Sequence, residues 1–236
     1  MIIFFSRVFI FTVSLIFFNI LSANELEEKI KKYILQNPEI IIQSLQNYEN
    51  KKELEEKSQN KELIKKLKDK IFLSNIMLYE GNISGSEVIV EFFDYNCSYC
   101  KRAHQDVQKV IEKNKNVKVI YKNFPILSEN SVKLAKYAIA ISEINNKKFI
   151  EFHNFLINHK GRVEENHLSE ILKKIKIPET KIIERINTTE INNKLEKDVM
   201  LANELGLRGT PAFIIGNEII FGYLNHQEMI AKINQQ

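Results

Sequence analysis

Two cysteines, Cys97 and Cys100, are the whole thiol content of this 236-residue chain, and only two residues separate them. They sit in the stretch Glu91 to His104, which reads Glu-Phe-Phe-Asp-Tyr-Asn-Cys-Ser-Tyr-Cys-Lys-Arg-Ala-His. Paired thiols at this spacing can exchange disulfides, and the attacking species in that chemistry is the thiolate. A free cysteine titrates near 8.5, so only a few per cent is reactive at neutral pH, and something must stabilise the anion.

The elements around the pair suggest what that is. Val88 to Phe93 is a β-branched and aromatic run after the turn-rich Gly81 to Ser86, the pattern of a buried strand. Ala103, Val107, Val110 and Ile111 then recur at helical spacing, with Asn96 as the expected N-cap, so Cys97 falls in the first helical turn and Cys100 one turn along. A helix end contributes at most ~2 kcal/mol, or roughly one and a half pKa units. Further lowering must come from the Cys100 thiol, from backbone N-H groups, or from Lys101 and Arg102. Cys97 is accordingly assigned as nucleophile and Cys100 as the resolving thiol.

Three other uses of the pair compete. A structural disulfide closing so short a loop contributes only ~2 kcal/mol, against ~4.7 for a hundred-residue loop. A zinc site needs two more good ligands, and neither a second Cys-x-x-Cys nor an H-x-x-H accompanies this one. Two ordinary core thiols would make spacing and helix-start position coincidental.

Before the pair, Met1 to Phe5 and Arg7 form a short basic entry, Val8 to Phe18 an apolar run, and Leu21-Ser22-Ala23 a small-residue cleavage site. Residues 1–23 read as a secretory signal, with an uncleaved membrane anchor as the alternative. Export leads to an oxidising compartment, where a two-cysteine enzyme can hold and pass on a disulfide. Residues 24–236 carry a net charge of +3, with lysines interleaved among glutamates, so no nucleic-acid partner is expected. A phosphate loop, an H-E-x-x-H and an internal repeat are absent, and no cofactor or metal is expected.

Residues 24–73 are almost entirely helix-forming. Leu26, Ile30, Tyr33 and Ile34 make one amphipathic piece; Asn37-Pro38 opens a second with Ile41, Ile42, Leu45 and Tyr48 on its apolar side. Between Glu49 and Glu62 the only large apolar residue is Leu54, after which Leu63, Ile64, Leu67 and Ile71 resume the stripe. So little apolar surface cannot fold alone, so the segment is expected to pack on the main domain or on copies of itself, with a solvated tether as the alternative. Residues 74–236 are expected to form the main domain. A short strand is expected at Ile76 to Tyr79 and another at Val117 to Tyr121. Helical patterns between about 128 and 188 then suggest an insert. Gly209-Thr210-Pro211-Ala212-Phe213 leads into two strands, Ala212 to Ile215 and Glu218 to Phe221, joined by the hairpin signal Gly216-Asn217, and Asn225 caps a last helix. A proline opening a strand sits at a start, an edge or a special turn, in trans or in cis.

Strand, Cys-x-x-Cys at a helix start, helical insert, then Gly-Thr-Pro-Ala-Phe and a β-hairpin resembles the thioredoxin fold of DsbA-like thiol:disulfide oxidoreductases, an α/β fold, over about residues 74–236. Lys122-Asn123-Phe124-Pro125-Ile126-Leu127 is similar to that family's strand-end segment. The resemblance implies that Pro211 is cis and lies against the cysteines, with Thr210 presenting its backbone to an incoming chain. It also implies a role for Glu91, six residues before Cys97, where relatives keep a buried acid. Burial raises a carboxyl pKa and suits a proton acceptor for Cys100; a wet strand face is the alternative. Tyr95, Tyr99 and Phe124 are candidates for an apolar substrate rim, with core packing competing, and His104 shares the helix face of Cys100 as a surface or tuning residue.

The N-terminal helices resemble the stalk of copper-sensitivity suppressor proteins in this superfamily, where it drives oligomerisation. The expected function is therefore an exported, periplasmic oxidoreductase that forms disulfides in unfolded or partly folded clients and is served by a membrane redox partner. An oligomeric isomerase or reductase is the alternative, and a thiol-based copper or zinc binder a third. Tyr99 replaces the histidine of the C-P-H-C pattern of the family's strongest oxidants. A loss of ~1.4 kcal/mol in stability of the reduced form shifts the two-electron potential by ~30 mV. An equilibrium titration against glutathione is expected to give a more reducing potential than those enzymes have; a potential as oxidising as theirs contradicts the expectation.

Overall fold

The computed structural model describes residues 25–74 and 78–235. The expected secretory signal and the first half of the strand expected at Ile76 to Tyr79 lie outside the described residues. The chain divides into two compact units, one ending at Glu56 and one beginning at Lys57. The larger unit takes in residues 57–73 as well as the segment from 74 onward. No helix among the described residues is long and apolar enough to cross a membrane.

In the smaller unit residues 25–36 form helix α1, and α2 (Glu39–Lys66) starts after Asn37-Pro38. Leu26, Tyr33, Leu45, Tyr48 and Leu54 are all exposed there. The last part of α2 belongs to the larger unit and differs in kind, with Ile64 buried, and α3 (Lys68–Phe72) follows it with Ile71 at 0% exposure.

The larger unit is built on a five-stranded sheet of order β1-β3-β2-β4-β5. Its strands are β1 (Tyr79–Gly81), β2 (Glu87–Phe93), β3 (Val117–Asn123), β4 (Ala212–Ile215) and β5 (Glu218–Phe221). Only β2 and β3 run parallel. A parallel pair needs a crossover, here α4 (Ser98–Lys113), and this puts the helix carrying Cys100 directly after the central strand. Between β3 and β4 come α5 (Glu129–Ile144), α6 (Asn146–Ile157), α7 (Glu165–Lys174), α8 (Glu179–Ile186) and α9 (Thr189–Glu204), and α10 (His226–Ile233) closes the fold.

Both sheet faces are covered, which explains why β2 reads as an unbroken apolar run rather than an alternation. Ile89, Phe93, Val119, Tyr121 and Phe213 share one core with Val107 and Val110 of α4, Phe152 of α6 and Met229 of α10. Val90, Phe92, Ile120, Phe124 and Ile214 share the other with Ile64, Leu67, Ile71, Leu201 and Leu205. Residues 57–72 are thus part of the core, covering this second face together with α9. Full burial of such a side chain contributes roughly 1.5–3 kcal/mol.

Two local devices aim the chain at the cysteines. After α9, Gly206 takes φ +72 while Leu207 N donates to Ala202 O at 2.9 Å, a glycine-ended helix stop that delivers Leu207 into the second core and Thr210 to the sheet end. Gly216, at φ 60, sits in the two-residue turn between Ile215 and Glu218, so β5 folds back on β4.

At the end of β3, Lys122 and Asp198 of α9 are both wholly buried, with Lys122 Nζ 3.7 Å from Asp198 Oδ1. Lys122 also donates to Ser74 Oγ at 3.0 Å and to Ser74 O, and Asn123 N donates to Asp198 Oδ2 at 3.1 Å. The pair fastens β3 to α9 and to the chain leaving α3. Removing one partner leaves a buried charge exposed to no water, so Asp198→Ala is expected to destabilise the fold by ~3–5 kcal/mol. The joint replacement Lys122→Met with Asp198→Leu should cost clearly less, as read by denaturant unfolding.

Candidate active site

The short loop between β2 and α4 is held by its own side chains. Asp94, almost fully buried, accepts from Asn96 N at 2.8 Å through Oδ1 and from Leu127 N at 3.1 Å through Oδ2. Asn96 in turn accepts from Val163 N at 2.9 Å and donates to Ser131 Oγ at 3.3 Å. The N-cap of α4 is Cys97 itself rather than Asn96, and it makes no side-chain capping bond. Asn96 ties the loop to the helical insert instead, which frees the first N-H groups of α4 for the Cys97 sulfur.

Both cysteines are free thiols. Cys97 is 7% exposed and Cys100 is 0% exposed. The Cys97 thiol is pulled down to about 6 from its ordinary value, first by a hydrogen bond from Cys100 and further by the Thr210 side chain and the backbone N-H groups of Cys100 and Tyr99; burial opposes this. Cys100 is pushed up, chiefly by burial, then by its bond to Cys97 and the nearby charges of Glu91 and Cys97. Two thiols one helical turn apart are therefore driven in opposite directions.

Across from them the Thr210-Pro211 peptide is cis, and the Cys97 thiol donates to Thr210 O at 3.2 Å. Pro211 opens the strand that pairs with β2, so the cysteine loop and the proline loop meet at one end of the sheet. Glu91 lies one layer below, 2% exposed, in register with Tyr121 on one side and Phe213 on the other. Burial first, then the charges of Cys97 and Glu80, push its carboxyl up to about 8.

The structure brings Cys97, Cys100, Glu91, Thr210 and Pro211 together, but it splits the aromatic candidates. Tyr99 is 60% exposed at the first turn of α4. Phe124 and Tyr95 are buried, so neither offers a surface: Phe124 packs in the second core, and the Tyr95 hydroxyl bonds His153 Nδ1 at 3.1 Å. His104 is likewise buried rather than on the surface, with Nε2 2.8 Å from Asn154 Oδ1. Lys101 donates to His159 O at 2.8 Å and to Gly161 O at 2.5 Å, and the Arg102 guanidinium lies 4.2 Å from the centre of the Tyr223 ring. The Lys101 charge interacts with Cys97, but hydrogen bonds come first among the causes that lower the thiol. Among the described residues no group of three or more His, Cys, Asp or Glu side chains could hold a metal ion.

Glu80, His153, Asp94 and Asn96 were not apparent as site residues in the sequence. The Asp-x-Asn spacing before Cys97 is a turn signal that could have found the last two, whereas nothing in the local sequence places Glu80 or His153 beneath the thiols.

A sheet of this topology, with a Cys-x-x-Cys pair at a helix start facing a cis-proline, defines a thioredoxin-fold protein of the thiol-disulfide oxidoreductase class. The chain belongs to the family of DSBA-like thioredoxin domains, whose model matches residues 88–233. Among solved structures, it is similar to the thiol-disulfide exchange protein alpha-DsbA2 from Wolbachia pipientis, with 30% identity and a TM-score of 0.71 over 76% of this chain and 96% of that one. A structure of Proteus mirabilis ScsC covers 91% of this chain and 96% of its own at a TM-score of 0.67 and 23% identity, a likeness of fold that takes in the N-terminal helices. Among curated proteins, disulfide bond formation protein D of Bacillus subtilis is 24% identical over 168 residues, 66% of this chain and 75% of that one. Two Na(+)/H(+) antiporters from Salinispora species match at 20% and 19% identity, and the chain spans 22% of their length.

Because folding lowers the Cys97 value, its ionisation stabilises the reduced fold fully above the unfolded value of ~8.5, and the stabilisation is lost as pH falls through about 6. Alkylation of the reduced protein should follow the same curve, with a midpoint near pH 6. Cys100→Ala removes the largest anion-stabilising bond and should move that midpoint upward; an unmoved midpoint contradicts the assignment.

Proposed function

We propose that this chain is an exported dithiol oxidase that forms disulfides in client proteins through Cys97 and Cys100. The observation that carries the reading is the opposed acidity of the two thiols: the bond from Cys100 is the first cause that lowers Cys97, and burial is the first that raises Cys100. A thiolate stabilised in this way favours the reduced form, so the oxidised pair is a ready electron acceptor.

In the oxidised protein a client thiolate attacks the Cys97 sulfur; the Cys97-Cys100 bond breaks as the client-Cys97 bond forms. Cys100 leaves as a thiolate and takes a proton from Glu91, whose raised value suits that transfer at neutral pH. A second client thiolate attacks the client sulfur of the mixed disulfide, and Cys97 departs as the stable anion. The client gains one disulfide, and two electrons remain on the enzyme as the dithiol. A membrane redox partner then accepts those electrons, with Glu91 taking back the Cys100 proton. Thr210 supplies backbone for an extended client segment, Pro211 forms the wall beside the sulfur, and Tyr99 offers an exposed apolar surface next to it. Unfolded or partly folded exported proteins fit such an open site. Residues 1–23 as a removable signal lead to the periplasm, and relatives from Bacillus and Wolbachia named for disulfide bond formation and thiol-disulfide exchange support the chemistry of this reading.

A second reading has its own observation. Leu26, Tyr33, Leu45, Tyr48 and Leu54 are exposed on α1 and α2, and apolar residues at helical spacing suit pairing with copies of the same segment. Oligomers with facing sites favour the isomerase or reductase alternative. Trapping with Cys100→Ala is the test of both: Cys97 should be recovered in mixed disulfides with exported proteins, and none at all overturns the exchange reading. Light scattering on residues 24–236 separates the two, since a monomer supports the oxidase and an oligomer the isomerase.

A further inference from the structure

Beneath the cysteines lies a second buried acid that the exchange steps above do not use. Glu80, on the edge strand β1, is 9% exposed and pairs in register with Val119, two residues before Tyr121 on β3. Residues two apart on a strand share a face, so Glu80, Val119, Tyr121 and Glu91 all point towards α4. The Tyr121 hydroxyl donates to Glu80 Oε2 at 2.9 Å, and the Gln108 amide donates to the same oxygen at 2.8 Å. Cys100, His104 and Gln108 follow one another at intervals of four along α4, so one helix face runs from the resolving thiol down to this carboxylate.

Two donors converging on one oxygen fix Glu80 as an acceptor. Tyr121 is the shared element: it is the register partner of Glu91 and the hydrogen-bond partner of Glu80. We propose that Glu80 is a positioning residue for the exchange reaction, a carboxylate anchored through the Tyr121 hydroxyl whose charge keeps a proton on Glu91 for delivery to Cys100. The inference rests on the role given to Glu91 above. The proton ledger is simple: as the Cys97-Cys100 bond opens, Cys100 gains the proton that Glu91 loses, and reoxidation returns it. With the Glu80 carboxylate anchored nearby by Tyr121 and Gln108, Glu91 releases that proton only when a sulfur anion is there to take it. The raised value of Glu91, to which the Glu80 charge contributes after burial and Cys97, agrees with this.

The other titratable groups facing this space are Cys97, Cys100 and His104 from α4, Tyr95 from the cysteine loop, Tyr121 from β3 and His153 from α6. Burial holds both histidines below their ordinary values and both tyrosines above theirs, so at neutral pH they bring no competing charge. In the oxidised protein Cys97 and Cys100 are uncharged as well, which leaves Glu80 as the neighbour acting on Glu91.

The test is therefore made on the full chain in its oxidised form, by following the Glu91 carboxyl carbon across pH in protein labelled with carbon-13 glutamate. The signal is assigned by its loss in Glu91→Gln. Glu80→Gln keeps an acceptor for Tyr121 and Gln108 but removes the charge; it is expected to lower the Glu91 midpoint by about one pH unit and to move the alkaline limb of client oxidation down equally. Glu80→Asp, which restores charge, should return both towards the wild-type position. An unmoved midpoint in Glu80→Gln, or equal shifts in Gln and Asp variants, overturns the proposal. Should Glu80→Gln not fold, Tyr121→Phe removes the anchoring hydroxyl and is expected to shift the midpoint in the same direction; no shift overturns the proposal equally. If instead Glu91→Gln leaves the pH profile of client oxidation unchanged, the role of Glu91 itself fails, an outcome separate from failure of Glu80.

Discussion

The structure depends on keeping one sulfur anion comfortable in a place where water can barely reach it. Burial alone drives a thiol towards its neutral form, and Cys97 is nearly buried. The deficit is made up by short-range donors: the Cys100 thiol, Thr210 and the first N-H groups of α4. Donors of this kind work only at fixed distance and direction. The geometry therefore asks for a rigid junction between a central strand and a helix, and for a second loop held against it. The doubly covered sheet supplies the first and the glycine-ended helix α9 the second.

The same burial that threatens the Cys97 anion makes Cys100 useful. A resolving thiol should stay protonated until its moment, and complete exclusion from water ensures this. On the proposed exchange role the Cys100 proton is handled inside the protein, and polar groups are packed here where a plain core would have leucine. Glu91, Tyr121, Glu80, Tyr95 and His153 occupy the space between the sheet and helices α4 and α6, and the rings of Phe93, Tyr121 and Phe149 surround the His153 imidazole. Part of the cluster is satisfied internally, by bonds from Tyr121 and Gln108 to Glu80 and between Tyr95 and His153, whereas His153 Nε2 is buried without a partner.

A contrast within one helix shows how the two units differ. Along α2, Tyr48 and Leu54 lie exposed in the smaller unit, while Ile64 is buried in the larger one. The residue types are similar; what changes is whether a sheet face is present to receive them. The helical propensity of the segment and the return of its apolar stripe at Leu63, Ile64, Leu67 and Ile71 were plain from the sequence, but the sheet face that receives that stripe was not.

The sequence by itself determined the strand-helix placement of Cys97 and Cys100 and the hairpin around Gly216-Asn217, because these follow from local periodicity and turn chemistry within about fifteen residues; the α/β thioredoxin class was legible through the resemblance carried by the order of its motifs along residues 74–236. Glu91 was legible only through the family resemblance, since alternation along the strand left a wet face open; the sheet pairing decided that it is buried. Only the tertiary structure decided that Phe124 and Tyr95 turn inward, that His104 is buried, that residues 57–72 close the second sheet face, and that Glu80 stands under the thiols. Each of these depends on which elements pack together across a hundred residues or more, or on strand register at a sheet edge. Hydrophobic pattern alone cannot say whether an aromatic side chain meets water or another strand.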